Sequence, residues 1–267
     1  MAIPAQRDLV AARAAITSWL AAQRPSAKEV WVGELAAPGG TGFSNETLLF
    51  DAGWTEAGRA ETERLVLRVQ PSVYRVFMES DFESQYRVID ALGRSGQVKV
   101  APMRAFEADP SVLGAPFFVM GWVPGEAPAD VPPYNEAGFL VDMAPAQRQE
   151  LWLSAIEQLT AVHRVDWRAA GFGFLDKPER GPSGLAQQIR YYEEALEWAA
   201  EGRPQPVVEA ATAWVATHAP ADAPTELSWG DARIGNMLFH QGRCQAVLDW
   251  DMVSLGGREM DLSLIHI

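Results

Sequence analysis

The stretch from Leu227 to Asp251, LSWGDARIGNMLFHQGRCQAVLDWD, constrains this chain more than any other part of it. Asp231 and Asn236 are separated by four residues, and Asp249 and Asp251 follow after a turn that contains glycine. Polar side chains at these spacings predict a ligand-binding or catalytic site. The alternative is that they are carboxylates and amides that cap loops.

The second half of this stretch predicts a β-hairpin. Two strand-like runs, Met237–Phe239 and Gln245–Trp250, flank the turn sequence His240–Arg243. A hairpin of this length would carry Asn236 at one end and Asp249 at the other, both aimed at one point.

These residue types match the needs of phosphoryl transfer. That reaction needs one group to orient and deprotonate the attacking hydroxyl, and hard oxygen ligands for Mg²⁺ on the phosphates. Asp231 suits the first task, and Asn236 and Asp249 suit the second. Asp251 is either a further metal ligand or a carboxylate that supports the ligands.

A glycine-rich segment near the N-terminus, PGGTGFSNETLLFDA, is a candidate phosphate loop. Gly40 and Gly42 would let the backbone approach a phosphate, and the following residues Ser44 and Asn45 would donate to it. The segment is neither a Walker A loop nor a complete GxGxxG pattern, and a plain hairpin turn is the alternative.

A basic residue interrupts the apolar run Leu65–Val69. Arg68 could pair with phosphate or with a carboxylate, or it could lie in solvent on an edge strand. Glu83, in the helix predicted from Ser80, is the candidate carboxylate. Ser80 and Glu83 also form a capping-box pattern, so a purely structural role for Glu83 stays open.

The segment PFFVMGWVPGE predicts a hinge between two domains. An apolar strand ends at Met120, and the backbone of Gly121 and Trp122 could read an adenine edge; a simple strand and turn is the alternative. We therefore predict a nucleotide-binding domain over residues 1–121 and a helical domain over residues 122–267.

Four further segments have helical patterns. Residues 5–22 form one predicted amphipathic helix, and residues 183–200 and 206–218 form two others. The fourth, residues 145–164, has an apolar face that is predicted to be core: Leu151, Trp152, Ile156, Leu159 and Val162. His163 at its end is expected to be structural.

The composition excludes some partners. The net charge of −13 argues against nucleic acid or an anionic membrane as the main partner, and it mildly favours a cationic substrate. No segment is apolar enough to span a bilayer and no secretory signal is recognisable, so a cytoplasmic location is expected. The single cysteine, Cys244, excludes an internal disulfide.

Together these motifs resemble those of the aminoglycoside phosphotransferase/choline kinase superfamily. The resemblance runs from about residue 40 to residue 262 and rests on four motifs: the GxSNxT-like loop, the VLR strand, GD-x4-N and VLDWD. It implies an α+β, two-lobed protein-kinase-like fold that uses ATP and Mg²⁺ to phosphorylate a small-molecule hydroxyl. By motif, Asp231 would be the catalytic base, Asn236 and Asp249 the metal ligands, Arg68 the phosphate contact, and Met120–Trp122 the adenine hinge.

The chain departs from the family pattern in three places. The usual histidine before Gly-Asp is Trp229, which is expected to remove a polar structural residue. The helix position that often carries glutamate is Gln85, so either Glu83 pairs with Arg68 or no such ion pair forms. The sequence also ends soon after GGREMDLS, and a truncated C-terminus is expected to leave the acceptor side incomplete.

Two alternatives to an enzyme of this type stay open. One is a nucleotide-binding pseudokinase or partner subunit without turnover, and the other is a Mg²⁺ phosphohydrolase built on the acidic cluster. The residues identify neither the acceptor nor the oligomeric state.

Overall fold

An antiparallel sheet of five strands organises the first part of the fold, in the spatial order Lys28–Val32, Glu46–Glu56, Arg59–Val69, Phe117–Gly121 and Met103–Glu107. The computed structural model describes residues 7–38, 46–71, 76–79 and 81–265. The backbone contacts divide the chain into two compact units. The first unit contains residues 1–76 and 101–122, and the second contains residues 77–100 and 123–267.

The first unit contains one helix and the five strands of this sheet. They are α1 (Leu9–Gln23), β1 (Lys28–Val32), β2 (Glu46–Glu56), β3 (Arg59–Val69), β4 (Met103–Glu107) and β5 (Phe117–Gly121). Strands β2 and β3 form a hairpin whose two turn residues, Ala57 and Gly58, both have positive φ. Turns of this type match the right-handed twist of the strands, which explains why the hairpin is long and regular.

Helix α1 packs on one face of the sheet. Its buried positions recur at helical spacing, and Ile16, Trp19 and Leu20 join the core formed by alternate residues of β3, such as Leu67. Leu9 is 40% exposed because the helix only begins there, after its N-cap at Asp8. Burying a leucine as fully as Leu67 contributes about 1.5–3 kcal/mol.

The second unit is mainly helical. Its helices are α2 (Phe82–Ser95), α3 (Phe139–Asp142), α4 (Pro145–His163), α5 (Gly184–Ala200), α6 (Pro206–His218) and α7 (Glu259–Ile265). Its strands form two small antiparallel sheets, β6 (Glu226–Ser228) with β9 (Ser254–Gly256), and β7 (Met237–His240) with β8 (Arg243–Val247). Short 3₁₀ turns occur at Phe172–Leu175 and Ile234–Asn236.

Helix α2 groups with the second unit, whereas the sequence placed it in the N-terminal domain. Arg87 of α2 lies over the ring of Phe174, with its guanidinium carbon 3.7 Å from the ring centroid. Just beyond the helix, the backbone of Lys99 accepts a hydrogen bond from Val247 in β8. The functional division at residues 121/122 stays a prediction, because backbone grouping does not test which residues bind nucleotide.

A sheet-based unit and a mainly helical unit confirm the α+β class. No helix in the described part of the chain is long and apolar enough to cross a membrane.

Cys244 in β8 is buried, and this burial raises the pKa of its thiol to about 11. The thiol stays neutral in the folded protein while the unfolded thiol ionises near pH 9. The stability that comes from the neutral thiol is therefore fully present below pH 9 and is lost as pH rises from 9 to 11. We expect the free energy of unfolding to fall by about 2 kcal/mol over this range. The measurement is urea unfolding at both ends of the range, relative to Cys244→Ala.

Tyrosines and lysines also titrate at high pH, and the Cys244→Ala variant is the control for them because it keeps all of them. An equal loss of stability in both proteins would contradict the role of the thiol.

Candidate active site

The strand β6 leads into the loop that carries Asp231, and a buried carboxylate holds this junction. Asp261 of α7, which is 0% exposed, accepts hydrogen bonds from Ser228 Oγ (2.9 Å), Trp229 N (2.9 Å) and Gly230 N (2.7 Å). His163 Nε2, at the end of α4, lies 2.8 Å from the same carboxylate. These contacts fix the backbone immediately before Asp231 and give His163 the structural role expected for it.

Gly230 makes the turn into the loop. Its φ is +95°, and a Cβ at this position would overlap the carbonyl oxygen of Met252. Only glycine combines this backbone conformation with so close an approach. The turn therefore determines where the backbone of Asp231 begins.

The four-residue spacing between Asp231 and Asn236 closes into a direct hydrogen bond. A tight backbone turn, with Arg233 N donating to Asp231 O at 2.8 Å, leads into the 3₁₀ turn that ends at Asn236. Asn236 Nδ2 then donates to Asp231 Oδ2 at 2.6 Å and to Asp231 O at 3.2 Å. Because the amide nitrogen faces Asp231, the amide oxygen of Asn236 is the atom left to act as a metal ligand.

The hairpin β7–β8 brings Asp249 to the same loop. Its turn residues, Gln241 and Gly242, both have positive φ, and Leu248 N donates to Asn236 O at 2.8 Å where the hairpin closes. Asp249 is the next residue after this bond. The backbone of Asn236 is therefore bonded to the residue that precedes Asp249, and the convergence of the two side chains stays a prediction.

Trp229 takes a polar role at the position where the family often has histidine. Its indole Nε1 donates to the carbonyl oxygens of Leu248 (2.9 Å) and Asp249 (3.0 Å). The expectation that tryptophan removes a polar structural residue is thus wrong, because the indole N–H supplies a donor. These bonds hold Asp249, whose φ of +55° is uncommon for a residue other than glycine and costs on the order of 1 kcal/mol.

Arg233 is a charged neighbour of Asp231 that sequence reasoning missed. Its Nη1 lies 2.6 and 2.7 Å from the two carboxylate oxygens of Asp130, and its Nε lies 3.4 Å from Asp231 Oδ2. The hydrogen bonds to Asp130 raise the pKa of the guanidinium, with burial opposing this effect. The sequence could have indicated Arg233 as a site residue, since it lies inside the Asp-x4-Asn motif.

The donor set fits a magnesium ion that arrives with phosphate. Among the described residues, no three His, Cys, Asp or Glu side chains form a group that could hold a metal by themselves. Mg²⁺ is usually held by one or two carboxylates together with substrate phosphates and water. Asn236 and Asp249, with Asp251 two residues further on, supply hard oxygen atoms of this kind.

The residues predicted to contact nucleotide have different surroundings. Gly40, Gly42, Ser44 and Asn45 lie outside the described residues. Arg68 lies in the middle of the sheet, between Thr47 of β2 and Phe118 of β5. Because strand residues alternate between faces, Arg68 points away from the α1 core that contains its neighbours Leu67 and Val69.

The predicted hinge lies at the end of β5. Met120 pairs with Val66, and the N–H groups of Gly121 and Trp122 donate within the sheet, to Pro102 O (2.8 Å) and Arg64 O (2.9 Å). These two amide hydrogens are therefore engaged by the fold.

Helix α2 has a different N-cap from the predicted one. Asp81 caps it by accepting from Ser84 N at 3.1 Å, and Ser80 lies outside the described residues. Glu83 in the first turn is exposed. Gln85 is 6% exposed, and its Oε1 has no hydrogen-bond partner in the described parts of the chain. The buried face of α2 thus carries Gln85 and not Glu83.

A family model described as "Phosphotransferase enzyme family", APH, matches residues 37–266. The chain belongs to this family. This confirms the resemblance to aminoglycoside phosphotransferases, and it identifies the protein as a member of a kinase-type family.

Solved structures agree with this assignment. A candidate aminoglycoside phosphotransferase from Ralstonia eutropha JMP134 is 27% identical, with a TM-score of 0.66 over 95% of this chain and 70% of that one. The GDP complex of a mutant of aminoglycoside 2'-phosphotransferase-IIIa is 16% identical, with a TM-score of 0.60 over 93% of this chain and 75% of that one. The predicted two-lobed kinase-like fold is confirmed.

Curated relatives of this APH-family chain are longer proteins. Probable acyl-CoA dehydrogenase IBR3 of Arabidopsis thaliana is 28% identical over 84% of this chain and 27% of its own length. Acyl-CoA dehydrogenase family member 11 of Gallus gallus is 31% identical over 84% of this chain and 26% of its own length. The chain thus spans about a quarter of these relatives.

Proposed function

We propose that this APH-family protein transfers the γ-phosphoryl group of ATP, with Mg²⁺, to a hydroxyl of a small molecule. The observation that carries the proposal is the hydrogen-bonded arrangement of Asp231, Asn236 and the backbone of Asp249. With the side chains of Asn236 and Asp249 as metal ligands, this arrangement would supply a base and two hard oxygen ligands, which are groups that phosphoryl transfer uses.

Asp231 is the proposed catalytic base. The acceptor oxygen forms a bond to the γ-phosphorus, the bond from that phosphorus to the β-phosphate oxygen breaks, and the hydroxyl proton passes to Asp231. Asn236 holds Asp231 in place through its Nδ2. Mg²⁺, held by Asn236 and Asp249 with Asp251 as a further or supporting ligand, would neutralise charge on the phosphates.

The nucleotide contacts are proposed from the sequence motifs. Gly40, Gly42, Ser44 and Asn45 would contact the phosphates, and Arg68 would add a positive charge. Met120–Trp122 would contact the base; since the N–H groups of Gly121 and Trp122 are engaged in the sheet, we expect carbonyl oxygens of this segment to take part. Glu83 is proposed as the partner of Arg68, although its exposure makes it a weaker candidate than the sequence indicated. The ADP and GDP complexes among structural neighbours support nucleotide use.

The acceptor is proposed only as a hydroxylated small molecule. Structural neighbours are named as phosphotransferases of aminoglycosides and macrolides, and one complex contains hygromycin B. The curated relatives carry the name of acyl-CoA dehydrogenases. A test panel should therefore contain amino sugars, a macrolide and hydroxylated acyl compounds. We propose a cytoplasmic location, with neither nucleic acid nor membrane as a partner.

Calorimetry and phosphate transfer test the proposal. We expect Mg-ATP to bind and at least one hydroxylated compound of the panel to become phosphorylated. Binding of Mg-ATP without transfer to any compound would favour the pseudokinase alternative. Release of phosphate from phosphate esters in the absence of ATP would instead favour the phosphohydrolase.

Asp249→Ala is expected to weaken Mg-ATP binding by about 10-fold or more, because it removes a charged metal ligand. The measurement is calorimetry with Mg-ATP and with metal-free ATP. The loss of ATP affinity in Asp249→Ala should be much larger in the presence of Mg²⁺ than in its absence.

Asp222→Ala is the matched control, since Asp222 is an exposed aspartate in the same unit. Equal Mg-ATP affinities in Asp249→Ala and the wild type would contradict the role of Asp249.

A further inference from the structure

A cavity of about 50 Å³ lies beside the loop that carries Asp231, entirely within the second unit. One wall is a face of α4, and the other is formed by the loop on both sides of Asp231 and by Tyr134. The lining residues are Tyr134, Trp152, Ala155, Ile156, Leu159, Trp229, Ala232, Arg233, Ile234 and Met237.

The cavity accounts for side chains of α4 that do not join the core as predicted. Trp152 is 40% exposed and Ile156 is half-buried, whereas Leu151 and Val162 are fully buried. The apolar face of α4 thus divides into a part that fills the core and a part that lines a cavity. A wall of aromatic and aliphatic side chains stabilises an apolar ligand group by removing it from water.

The charge of the lining disfavours a cationic ligand. Among the described residues that line the cavity, the ionisable groups are Arg233 and the phenol of Tyr134, and none is a carboxylate. Arg233 pairs with Asp130, which is not among the lining residues, so the lining offers a cationic ligand no carboxylate partner. The net charge of −13 mildly favours a cation at long range, but contacts inside a cavity are screened less and decide what fits there.

The cavity is close to the proposed catalytic base. Ala232 and Arg233 directly follow Asp231 in the chain, and Arg233 Nε lies 3.4 Å from Asp231 Oδ2. A ligand whose apolar part fills the cavity would therefore extend a neighbouring hydroxyl past Arg233 towards the carboxylate.

We propose that this cavity selects an uncharged acceptor, an alcohol with a short apolar chain next to its hydroxyl. The inference rests on the proposed function. The alcohol oxygen bonds to the γ-phosphorus of ATP, its proton goes to Asp231, and ADP leaves with the electrons of the broken P–O bond.

The size of the cavity sets the length of the chain. Its volume corresponds to roughly four water-sized groups, at ~10–15 Å³ for each. Each methylene that enters should strengthen binding by about fourfold, which corresponds to ~0.8 kcal/mol per buried CH₂. Methylenes beyond the cavity should add little.

The test uses the secondary alcohols from propan-2-ol to octan-2-ol. Binding is followed by saturation-transfer NMR in the presence of Mg-ADP, and phosphate transfer is followed separately with Mg-ATP. We expect affinity to rise by about fourfold per methylene to about hexan-2-ol and then to level off. Kanamycin, a polycation, should not displace hexan-2-ol.

Ala155→Leu fills the cavity from α4 and should abolish the dependence on chain length. Ala146→Leu is the matched control, because Ala146 is exposed in the first turn of the same helix. Trp152→Ala enlarges the cavity at a partly exposed position, and it should increase the alcohol chain length at which affinity levels off. This second variant tests the cavity if Ala155→Leu does not fold.

The two measurements separate the cavity from the chemistry. Affinity that depends on chain length in the wild type and not in Ala155→Leu supports the cavity even without transfer. Absence of transfer both to these alcohols and to the acceptor panel would then overturn the proposed function alone. Affinity independent of chain length, unchanged affinity in Ala155→Leu, or displacement by kanamycin would overturn the cavity proposal, whether or not transfer occurs.

Discussion

Asp231→Ala is expected to lower the rate of phosphoryl transfer by roughly 10³-fold, within the ~10²–10⁴ range typical of general acid–base catalysis. Asp231 is the proposed proton acceptor, and the surrounding hydrogen bonds from Asn236 and Arg233 serve to orient it. Mg-ATP affinity should change little, since the metal is assigned to Asn236 and Asp249. The measurements are single-turnover transfer with the best acceptor of the panel and calorimetry with Mg-ATP.

Asp231→Asn is the matched variant, because it keeps the size of the side chain and removes its basicity. It should be nearly as slow as Asp231→Ala. Near-normal rates in either variant would show that the role of base is wrongly assigned. A large loss of Mg-ATP affinity would instead place Asp231 among the metal ligands.

Asp261→Ala is expected to lower the free energy of unfolding by about 3–5 kcal/mol, because it removes a fully buried acceptor that several donors share and leaves them unsatisfied. Ser228, Trp229 and Gly230 would be left with buried donors and no acceptor. The same change should slow transfer, since it releases the backbone immediately before Asp231. Urea unfolding measures the first effect, and the transfer assay measures the second.

His163→Ala provides a graded comparison, since it removes only one of the contacts of Asp261. Its cost should be about 1–3 kcal/mol and smaller than that of Asp261→Ala. Asp222→Ala, at an exposed position, should change stability by no more than about 0.5 kcal/mol. A loss below about 1 kcal/mol in Asp261→Ala would contradict its role as the anchor of the loop.

The sequence predicted the elements of the site that depend on local spacing. The hairpin after Asn236 follows from two β-rich runs around Gln241 and Gly242, a turn that local conformational preference determines. The Asp-x4-Asn spacing likewise closes through one backbone turn and one 3₁₀ turn. The catalytic and metal roles of these residues stay predictions.

Contacts between distant residues could not be predicted in this way. Asp261 meets Trp229 across 32 positions of sequence, and nothing near Asp261 indicates a partner. Helix α2 groups with the second compact unit for the same reason, because Arg87 and Phe174 meet only in the folded chain.

The sequence motifs together indicated the family and the α+β class, and the stretch Leu227–Asp251 indicated which residues meet at the loop, because hydrogen-bonded turns depend on neighbours in sequence. Only the tertiary structure decided what surrounds them. It gave Trp229 a polar role, buried Asp261 beneath the loop, and turned Trp152 and Ile156 towards a cavity instead of the core. The physical reason is that burial and pairing depend on which segments pack together, and helical spacing alone does not specify the partner of an apolar face.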